Sequence, residues 1–137
     1  MTSPHDDDGS LLSTSVVEGN DPKAPTPVVV EERFNVISKS FTFGNGDRYE
    51  GDFDLINAAY HGNGKFKWAS GMVYDGAWWK GRRSGFGRLS CTDGSVYEGD
   101  FVNNNKHGRG ILTRADGGKY EGPWVDDKMS GDGGVFT

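Results

Sequence analysis

The chain repeats one five-residue phrase four times: an aromatic residue, an acid, a glycine, any residue and a second aromatic residue. The copies begin at Tyr49, Tyr74, Tyr97 and Tyr120 and end at Phe53, Trp78, Phe101 and Trp124. Two glycines separated by one residue follow each copy, at 62–64, 85–87, 108–110 and 131–133, a spacing of 23 residues. A fixed period of this length is typical of a repeat array, in which each unit packs only on its neighbours. Such arrays usually present a surface to a partner.

Each unit is predicted to form a β-hairpin, because its residues alternate between two faces along both halves. In the first copy, Tyr49, Gly51 and Phe53 share one face. An Asn-Gly, Ser-Gly or Asp-Gly pair precedes each copy, with its glycine at 46, 71, 94 or 117. Glycine supplies the positive φ that such turns require. The predicted fold is therefore all-β: a single-layer, twisted antiparallel sheet of four consecutive hairpin repeats.

The chain is expected to divide into a tail and a repeat domain. Residues 1–33 are predicted to form a disordered acidic tail, because they offer little apolar surface to offset the entropy of ordering. Residues 34–137 form the repeat domain, where residues 34–46 are a degenerate capping strand without the paired glycines. The repeats cover about 47–71, 72–94, 95–117 and 118–137. A valine run at 28–30 is compatible with one more strand.

Charge and composition exclude several classes of function. The net charge of −5 lies in residues 1–37, which hold two bases and seven acids, so the repeats are neutral. A neutral domain lacks the basic footprint that nucleic-acid binding needs. Cys91 is the only cysteine, which excludes an intrachain disulfide and favours a reducing compartment. No apolar run approaches the roughly 20 residues of a membrane span, so the expected location is cytoplasmic.

The aromatic face is the first candidate binding surface. Its rings are expected to lie flat over glycines, to stack along the array, and to remain partly accessible in a single layer. The predicted partner-binding groove consists of Tyr49, Phe53, Tyr74, Trp78, Tyr97, Phe101, Tyr120 and Trp124. The alternative is that these rings only hold the sheet together. On the other face, Glu50, Asp75, Glu98 and Glu121 are predicted to pair with Lys65, Arg88 and Arg109 and to stabilise the sheet.

A second candidate surface is the hairpin tip beside Trp79. Lys80, Arg82 and Arg83 add positive charge next to this tryptophan, a combination that suits anionic lipid headgroups. The alternative is an ordinary solvated turn. The last strand, which ends near Phe136, leaves an open edge that predicts a homodimer or a longer array.

These phrases resemble the MORN (membrane occupation and recognition nexus) repeat family. The match is fullest from Tyr97 to Gly117, including His107-Gly108-Arg109-Gly110. It departs at Ser84 and Ser130, where histidine is common. The resemblance implies a single-layered sheet in cytoskeletal, flagellar or membrane-associated proteins, or an appendage of larger enzymes. It also implies binding of partner peptides, dimerisation in some members and phosphoinositide binding.

Catalytic machinery is not apparent in the sequence. The three histidines do not accompany a nucleophile motif, no ligand cluster matches a metal site, and the Gly-x-Gly phrases lack a following Gly-Lys-Ser/Thr. No catalytic residue, metal or cofactor is predicted. The leading hypothesis is a non-catalytic scaffold that docks a protein or peptide partner. The alternatives are a peripheral membrane module and a targeting appendage of a larger enzyme.

Overall fold

The computed structural model describes residues 10–16, 29–131 and 133–137, with side chains from residue 31 onward. Its strands are β1 (Ser10–Val16), β2 (Val29–Thr42), β3 (Arg48–Asp54), β4 (Ala59–Lys67), β5 (Val73–Trp79), β6 (Arg82–Ser90), β7 (Val96–Val102), β8 (Asn105–Thr113), β9 (Lys119–Val125), β10 (Lys128–Met129) and β11 (Val135–Phe136). They form one antiparallel sheet in which β1 to β10 follow chain order and β11 also pairs with β9. The predicted all-β sheet of consecutive hairpins is confirmed.

The N-terminal segment departs from the predicted disordered tail wherever the structure describes it. Residues 10–16 form β1, and β2 begins at Val29 and pairs with β1 on one edge and β3 on the other. A strand edge presents unpaired backbone groups, and an extended segment satisfies them even when its side chains are mostly polar. The remainder of the predicted tail, residues 1–9 and 17–28, lies outside the described residues.

Two-residue turns close three of the repeat hairpins. Both turn residues have positive φ at 80–81 (48° and 84°), 103–104 (48° and 73°) and 126–127 (47° and 71°). These values match the type I′ turn, whose twist suits a two-residue hairpin. The first hairpin instead has a four-residue tip, from 55 to 58. Arg82 and Arg83, predicted in a tip, are the first residues of β6.

Each repeat tyrosine lies over a glycine of the next strand. A Cβ on that glycine would overlap the tyrosine ring, as at Gly64 beneath Tyr49 and at Gly110 beneath Tyr97. Every one of these tyrosines also donates its hydroxyl proton to the backbone carbonyl three residues later, at oxygen–oxygen distances of 2.5, 2.7, 2.9 and 2.9 Å. The glycine therefore provides the space in which the ring and its hydrogen bond fit.

The rings pack edge to face rather than in the predicted stack. Six consecutive pairs have centroid separations between 5.1 and 5.8 Å and interplanar angles between 81° and 89°. They run in the order Tyr49, Trp78, Tyr74, Phe101, Tyr97, Trp124 and Tyr120. Edge-to-face contact places the positive edge of one ring on the negative face of the next, which contributes about 0.5–1.5 kcal/mol per pair. The chain of rings links each repeat to its neighbour.

The fourth repeat is displaced by one residue from the sequence register. Gly134, not Gly133, takes the position against the Tyr120 ring, and Val135 and Phe136 pair with Glu121 and Tyr120. The extra residue interrupts the edge strand, so that β10 and β11 pair with β9 as two short pieces. The shift places the Phe136 ring 4.8 Å from that of Tyr120.

The opposite face carries the predicted row of charges with one correction. Partners across the strands alternate in sign through Glu50, Lys65, Asp75, Arg88 and Glu98. The next position in the row is Ile111, because Arg109 lies two residues away and pairs with Pro123. The Nε of Arg88 lies 3.8 Å from Oε2 of Glu98, with both side chains about half exposed. Such pairs contribute little to stability.

Candidate binding face

One residue in each repeat lies on the aromatic face opposite the second aromatic residue of that repeat. We call this set the covering column: Tyr60, Arg83, Lys106 and Met129. Each member is 23 residues from the next and pairs across the hairpin with the second aromatic residue of its repeat, respectively Phe53, Trp78, Phe101 and Trp124. The rings beneath are alike in every repeat, whereas the covering residue differs in each.

The two basic members of the covering column close the face over repeats two and three. The Arg83 guanidinium carbon lies 5.8 Å from the Tyr74 ring centroid and 5.7 Å from that of Phe101. The Lys106 Nζ lies 5.6 Å from the centroid of Tyr97 and 5.7 Å from that of Trp124. Each cation therefore covers the tyrosine of its own repeat and an aromatic residue of the next, where cation–π attraction and an apolar stem both stabilise it.

Backbone hydrogen bonds fix the position of the covering column relative to the neighbouring hairpin tips. The carbonyls of Tyr60, Arg83 and Lys106 each accept a proton from the next hairpin tip, at nitrogen–oxygen distances of 2.8, 2.9 and 2.9 Å. The Arg83 N–H also donates to the Asn104 side chain, and that of Lys106 donates to Asp127. The column is therefore part of the joint between successive hairpins, and its side chains start from rigid backbone.

The predicted groove is not an open surface. Seven of its eight rings are at most 6% exposed: Tyr49, Tyr74, Trp78, Tyr97, Phe101, Tyr120 and Trp124. The expectation that these rings remain accessible is therefore wrong, and they form the core of the protein. Edge-to-face neighbours cover the ring faces, and long side chains such as Arg83 cover what remains. Phe53 is the one predicted groove residue that stays half-buried.

The open part of the aromatic face is at the first repeat. A cavity of about 400 Å³ is lined by Phe41, Phe43, Phe53, Ala58, Ala59, Tyr60 and Gly81. We call this cavity the first-repeat pocket. A neighbouring hollow shares Phe43 and Tyr60 with it and reaches Phe66. Phe43 is 41% exposed. Sequence reasoning assigned Phe41 and Phe43 to the cap and missed the pocket, although both fall in register with Phe66 and Trp68.

The pocket exists because the first repeat differs from the others at two places. Its covering residue, Tyr60, stacks on Tyr49 with a centroid separation of 3.9 Å and an angle of 16°, so the ring lies low and leaves space above it. The hairpin tip is longer, and its last residue, Ala58, and the first residue of β4, Ala59, are too small to fill that space. In repeats two and three, an arginine or lysine side chain extends over the equivalent position.

A buried carboxylate anchors the long tip that forms one wall of the pocket. Asp54 is 1% exposed and accepts hydrogen bonds from the backbone of Asn35 at 2.8 Å and of Ile56 at 3.1 Å, and from the Asn57 side chain. Burial opposes ionisation, but these hydrogen bonds outweigh it and hold the pKa of Asp54 below its ordinary value. The equivalent positions in the other repeats hold apolar residues, which is the signal that sequence reasoning overlooked.

The electrostatics of the closed part follow from burial. Desolvation raises the pKa of Tyr74 to about 12, with Arg83 acting against the shift, and also raises the pKa values of Tyr49 and Tyr97. These hydroxyls are therefore protonated donors at neutral pH. Desolvation lowers the pKa of the Arg83 guanidinium, an effect that Tyr74 and Asp127 partly offset. Arg83 remains a cation in a half-buried position.

The structure groups three of the four predicted lipid-contact residues, Trp79, Lys80 and Arg82, and places the fourth, Arg83, on the other face. Trp79 lies on the opposite face, with its ring centroid 4.5 Å from His61 and 5.6 Å from Phe34. Lys80 forms an ion pair with Glu32. Trp79 is 47% exposed and pairs with Arg82 across the hairpin, and the Nζ of Lys80 lies 5.5 Å from the Trp79 ring centroid. Arg83 points to the aromatic face.

The histidines of the repeats cap neighbouring hairpin tips. The Nδ1 atom of His61 accepts the backbone proton of Lys80 at 3.1 Å, and that of His107 accepts the backbone proton of Asp126 at 3.4 Å. His61 is buried against Phe34, with ring centroids 4.4 Å apart. In the described part of the chain, no three His, Cys, Asp or Glu side chains converge as metal ligands do.

Comparison with known proteins matches the same segment. The family model described as MORN repeat matches residues 49–73, 74–96, 97–119 and 120–133 in succession, which is more than half of the chain. The chain belongs to the MORN repeat family. The prediction of four consecutive repeats is confirmed. MORN repeats are generally modules of protein or lipid interaction.

One curated relative of this MORN chain is phosphatidylinositol 4-phosphate 5-kinase 1 of Oryza sativa subsp. japonica. It is 46% identical over 46 residues, which make up 34% of this chain and 6% of the kinase. The matching segment therefore spans a small fraction of the length of that relative. Among residues 10–16, 29–131 and 133–137, no helix is long and apolar enough to cross a bilayer.

Proposed function

We propose that this protein is a non-catalytic interaction scaffold that docks an extended segment of a partner protein on its aromatic face. The observation that carries the proposal is the first-repeat pocket, an apolar opening on a face where seven of the eight repeat rings are buried. A partner anchors one apolar side chain between Phe43, Phe53 and Tyr60. The rest of its segment runs along the covering column.

The chemistry and rigidity of the pocket support this proposal. Aromatic and alanine side chains line it, and apolar concavities of this kind are the usual sites of ligand or peptide anchoring. Its walls come from β2, from the tip held by Asp54 and from Gly81 of the next hairpin. A wall built from three hydrogen-bonded segments is pre-organised, which lowers the entropic cost of binding.

A peptide-display selection tests the proposal without a known partner. Selected peptides are expected to lose binding when Phe43 is replaced by serine and to keep it when Phe86 is replaced by serine. Phe86 is the matched control, since it is 64% exposed on the opposite face beside a second, charged hollow. Peptides that depend on Phe86 instead of Phe43, or a selection without binders, would contradict the proposal.

A membrane role is the second candidate, and the likeness to a phosphatidylinositol 4-phosphate 5-kinase favours it. In this membrane role, the repeats contact phosphoinositide headgroups themselves, or they target a larger enzyme to a membrane that contains these lipids. Arg82 and Trp79 would supply the contact. Sedimentation with vesicles containing phosphatidylinositol 4-phosphate tests the reading: it requires pelleting that Arg82→Gln reduces and that neutral vesicles do not give.

Self-association is a separate part of the proposal. Val135 and Phe136 of β11 are 58% and 62% exposed, and β11 has a described partner on only one side. A second copy pairing along this edge would bury both side chains. Sedimentation velocity over a range of concentrations should show a dimer that Phe136→Lys dissociates. A concentration-independent monomer would rule the dimer out.

A further inference from the structure

The two faces of the repeat sheet differ in charge. Strands β3 to β10 contain seven acidic residues, and each lies an odd number of positions from the buried tyrosine of its strand. All seven are therefore on the opposite face: Glu50, Asp52, Asp54, Asp75, Glu98, Asp100 and Glu121. On the aromatic face of these strands, as the structure describes them, the charged residues are Arg83 and Lys106. Lys39 of β2 adds a third cation, 5.7 Å from the Phe41 ring centroid.

The two cations of the covering column lack an acidic partner in the described structure. Neither Arg83 nor Lys106 forms an ion pair with a carboxylate of residues 31–131 or 133–137. Arg83 donates one side-chain hydrogen bond, to the Asn104 carbonyl at 3.1 Å. A guanidinium has five N–H donors in a planar fork that matches a carboxylate. Arg83 therefore has donors left for an anionic group that approaches from outside.

The spacing of the covering column determines the spacing of the peptide side chains that can contact its members. Successive members are two strands apart, which is about 9–10 Å at the usual strand separation. A peptide in the polyproline II conformation has three residues per turn and rises about 3.1 Å per residue, so every third side chain returns to the same face after about 9.3 Å and meets the next column member. The first-repeat pocket next to Tyr60 comes before Arg83, and Lys106 follows.

We propose that the partner segment is an acidic peptide with the pattern Phe-x-x-Asp-x-x-Asp, in which Leu or Trp can replace Phe and Glu can replace Asp. This proposal rests on the proposed function and specifies its partner. The apolar residue fills the first-repeat pocket, the first acid pairs with Arg83, and the second acid pairs with Lys106. Tyr60, Arg83 and Lys106 are then the residues that determine specificity, one for each of the first three repeats.

Charge complementarity favours this occupant over a purely apolar one. An apolar segment would cover Arg83 and Lys106 and remove them from water without a counter-charge, which is unfavourable for a buried cation. An acid at each position replaces the lost hydration with charge-assisted hydrogen bonds. Asp127, in the turn before β10, attracts Arg83 but forms no ion pair with Arg83 or Lys106 in the described structure, so both cations can pair with acids of a partner.

Fluorescence anisotropy with a labelled synthetic peptide tests the pattern. The probe is a short capped peptide, Ser-Phe-Ser-Ser-Asp-Ser-Ser-Asp-Ser, and its matched control carries Asn in place of both Asp residues. We expect each acid to strengthen binding about tenfold, which is typical of a charge-assisted hydrogen bond at a partly desolvated site. Moving the acids one residue closer to the Phe should remove this gain. Equal binding of the Asp and Asn peptides would overturn the inference.

Variants of the protein separate the inference from the proposed function. Arg83→Met should weaken the Asp peptide about tenfold and leave the Asn peptide unchanged, whereas Arg88→Met, on the opposite face of the same strand, should change neither. Thermal unfolding confirms that both variants fold. If the Asn peptide binds through Phe43 and the acids add nothing, the scaffold role stands and the acidic pattern fails. If no peptide binds, both fail.

The acidic residues of the chain itself provide a further control. Asp6, Asp7 and Asp8 precede β1, and replacing all three with Asn should leave the affinity for the Asp peptide unchanged. An increase of about tenfold would mean that the chain's own segment occupies the column, which would overturn the assignment to a separate partner.

Discussion

The first repeat and the two central repeats share a core but differ above it. In each, a tyrosine lies over a glycine and donates to a carbonyl three residues later. In repeats two and three a basic side chain covers the rings, whereas in repeat one Tyr60 lies flat and a cavity of about 400 Å³ opens beside it. Repetition thus specifies the fold, while one variable position per repeat decides whether the surface is open.

The largest predicted effect tests the shared core. Gly64→Ala in the first repeat and Gly110→Ala in the third should each lower the free energy of unfolding by about 3 kcal/mol, because the new methyl group overlaps a buried tyrosine ring. Urea denaturation measures this. Gly44→Ala is the matched control, since no atom lies within 4 Å of its added Cβ. A tolerated Gly64→Ala would show that the first repeat is held together differently.

The shared core is also the part that the sequence predicts well. The period, the hairpins and the Gly–Tyr pairing follow from alternation and from the turn glycines, because these depend on local geometry. Alternation assigns a residue to a face but does not measure its depth. For this reason Tyr97 and Trp124 were correctly placed on the aromatic face and wrongly expected to be accessible.

The features that sequence reasoning missed depend on contacts between repeats. Arg83 covers Tyr74 and Phe101 because the Lys80–Gly81 turn is short enough to place it in β6. The pocket needs a longer tip, a buried Asp54 and a flat Tyr60 together, and no single one of these identifies it. The one-residue displacement of the fourth repeat likewise depends on whether Gly133 or Gly134 fits against Tyr120. The 23-residue period does not distinguish between these two glycines.

The second prediction introduces the covering residue of a central repeat, an arginine, at the equivalent position of the first repeat. Tyr60→Arg should place a long cationic side chain over the first-repeat pocket and reduce the fluorescence of bound Nile red, a neutral apolar dye, several-fold. Tyr60→Phe keeps the flat ring and should bind the dye as the wild type does. If the arginine variant binds the dye unchanged, the covering residue does not decide whether the face is open.

The third prediction concerns the effect of pH on the buried histidine of the first repeat, His61. Burial lowers the pKa of His61; Asp54 and Glu32 oppose this shift, and Lys80 adds to it. The unfolded chain, with an ordinary histidine pKa near 6.5, therefore binds a proton more readily than the folded one. The stability associated with neutral His61 is present above about pH 6.5 and is lost as the pH falls below it towards the folded-state pKa.

Urea denaturation between pH 7.5 and 5 measures this loss. The wild type should lose up to about 1.4 kcal/mol per pH unit in the steepest part of this range from one proton. His61→Gln should flatten the dependence, because it removes the buried group whose pKa is lowered. If the His61 variant keeps the full pH dependence, another group must be responsible for it.

The smallest effect compares two arginines of one strand on opposite faces. Arg88→Met should change the free energy of unfolding by less than about 0.5 kcal/mol, because its ion pair with Glu98 is half exposed and solvent screens it. Arg83→Met should cost about 1 kcal/mol, since it removes a half-buried cation from two ring faces while the Met side chain keeps part of the apolar stem. Raising the salt concentration should further reduce the small change in unfolding free energy caused by Arg88→Met. It should leave the change caused by Arg83→Met unaltered. Equal costs for the two variants would mean that covering the rings contributes nothing to stability, and the closed state of the central repeats would then need another explanation.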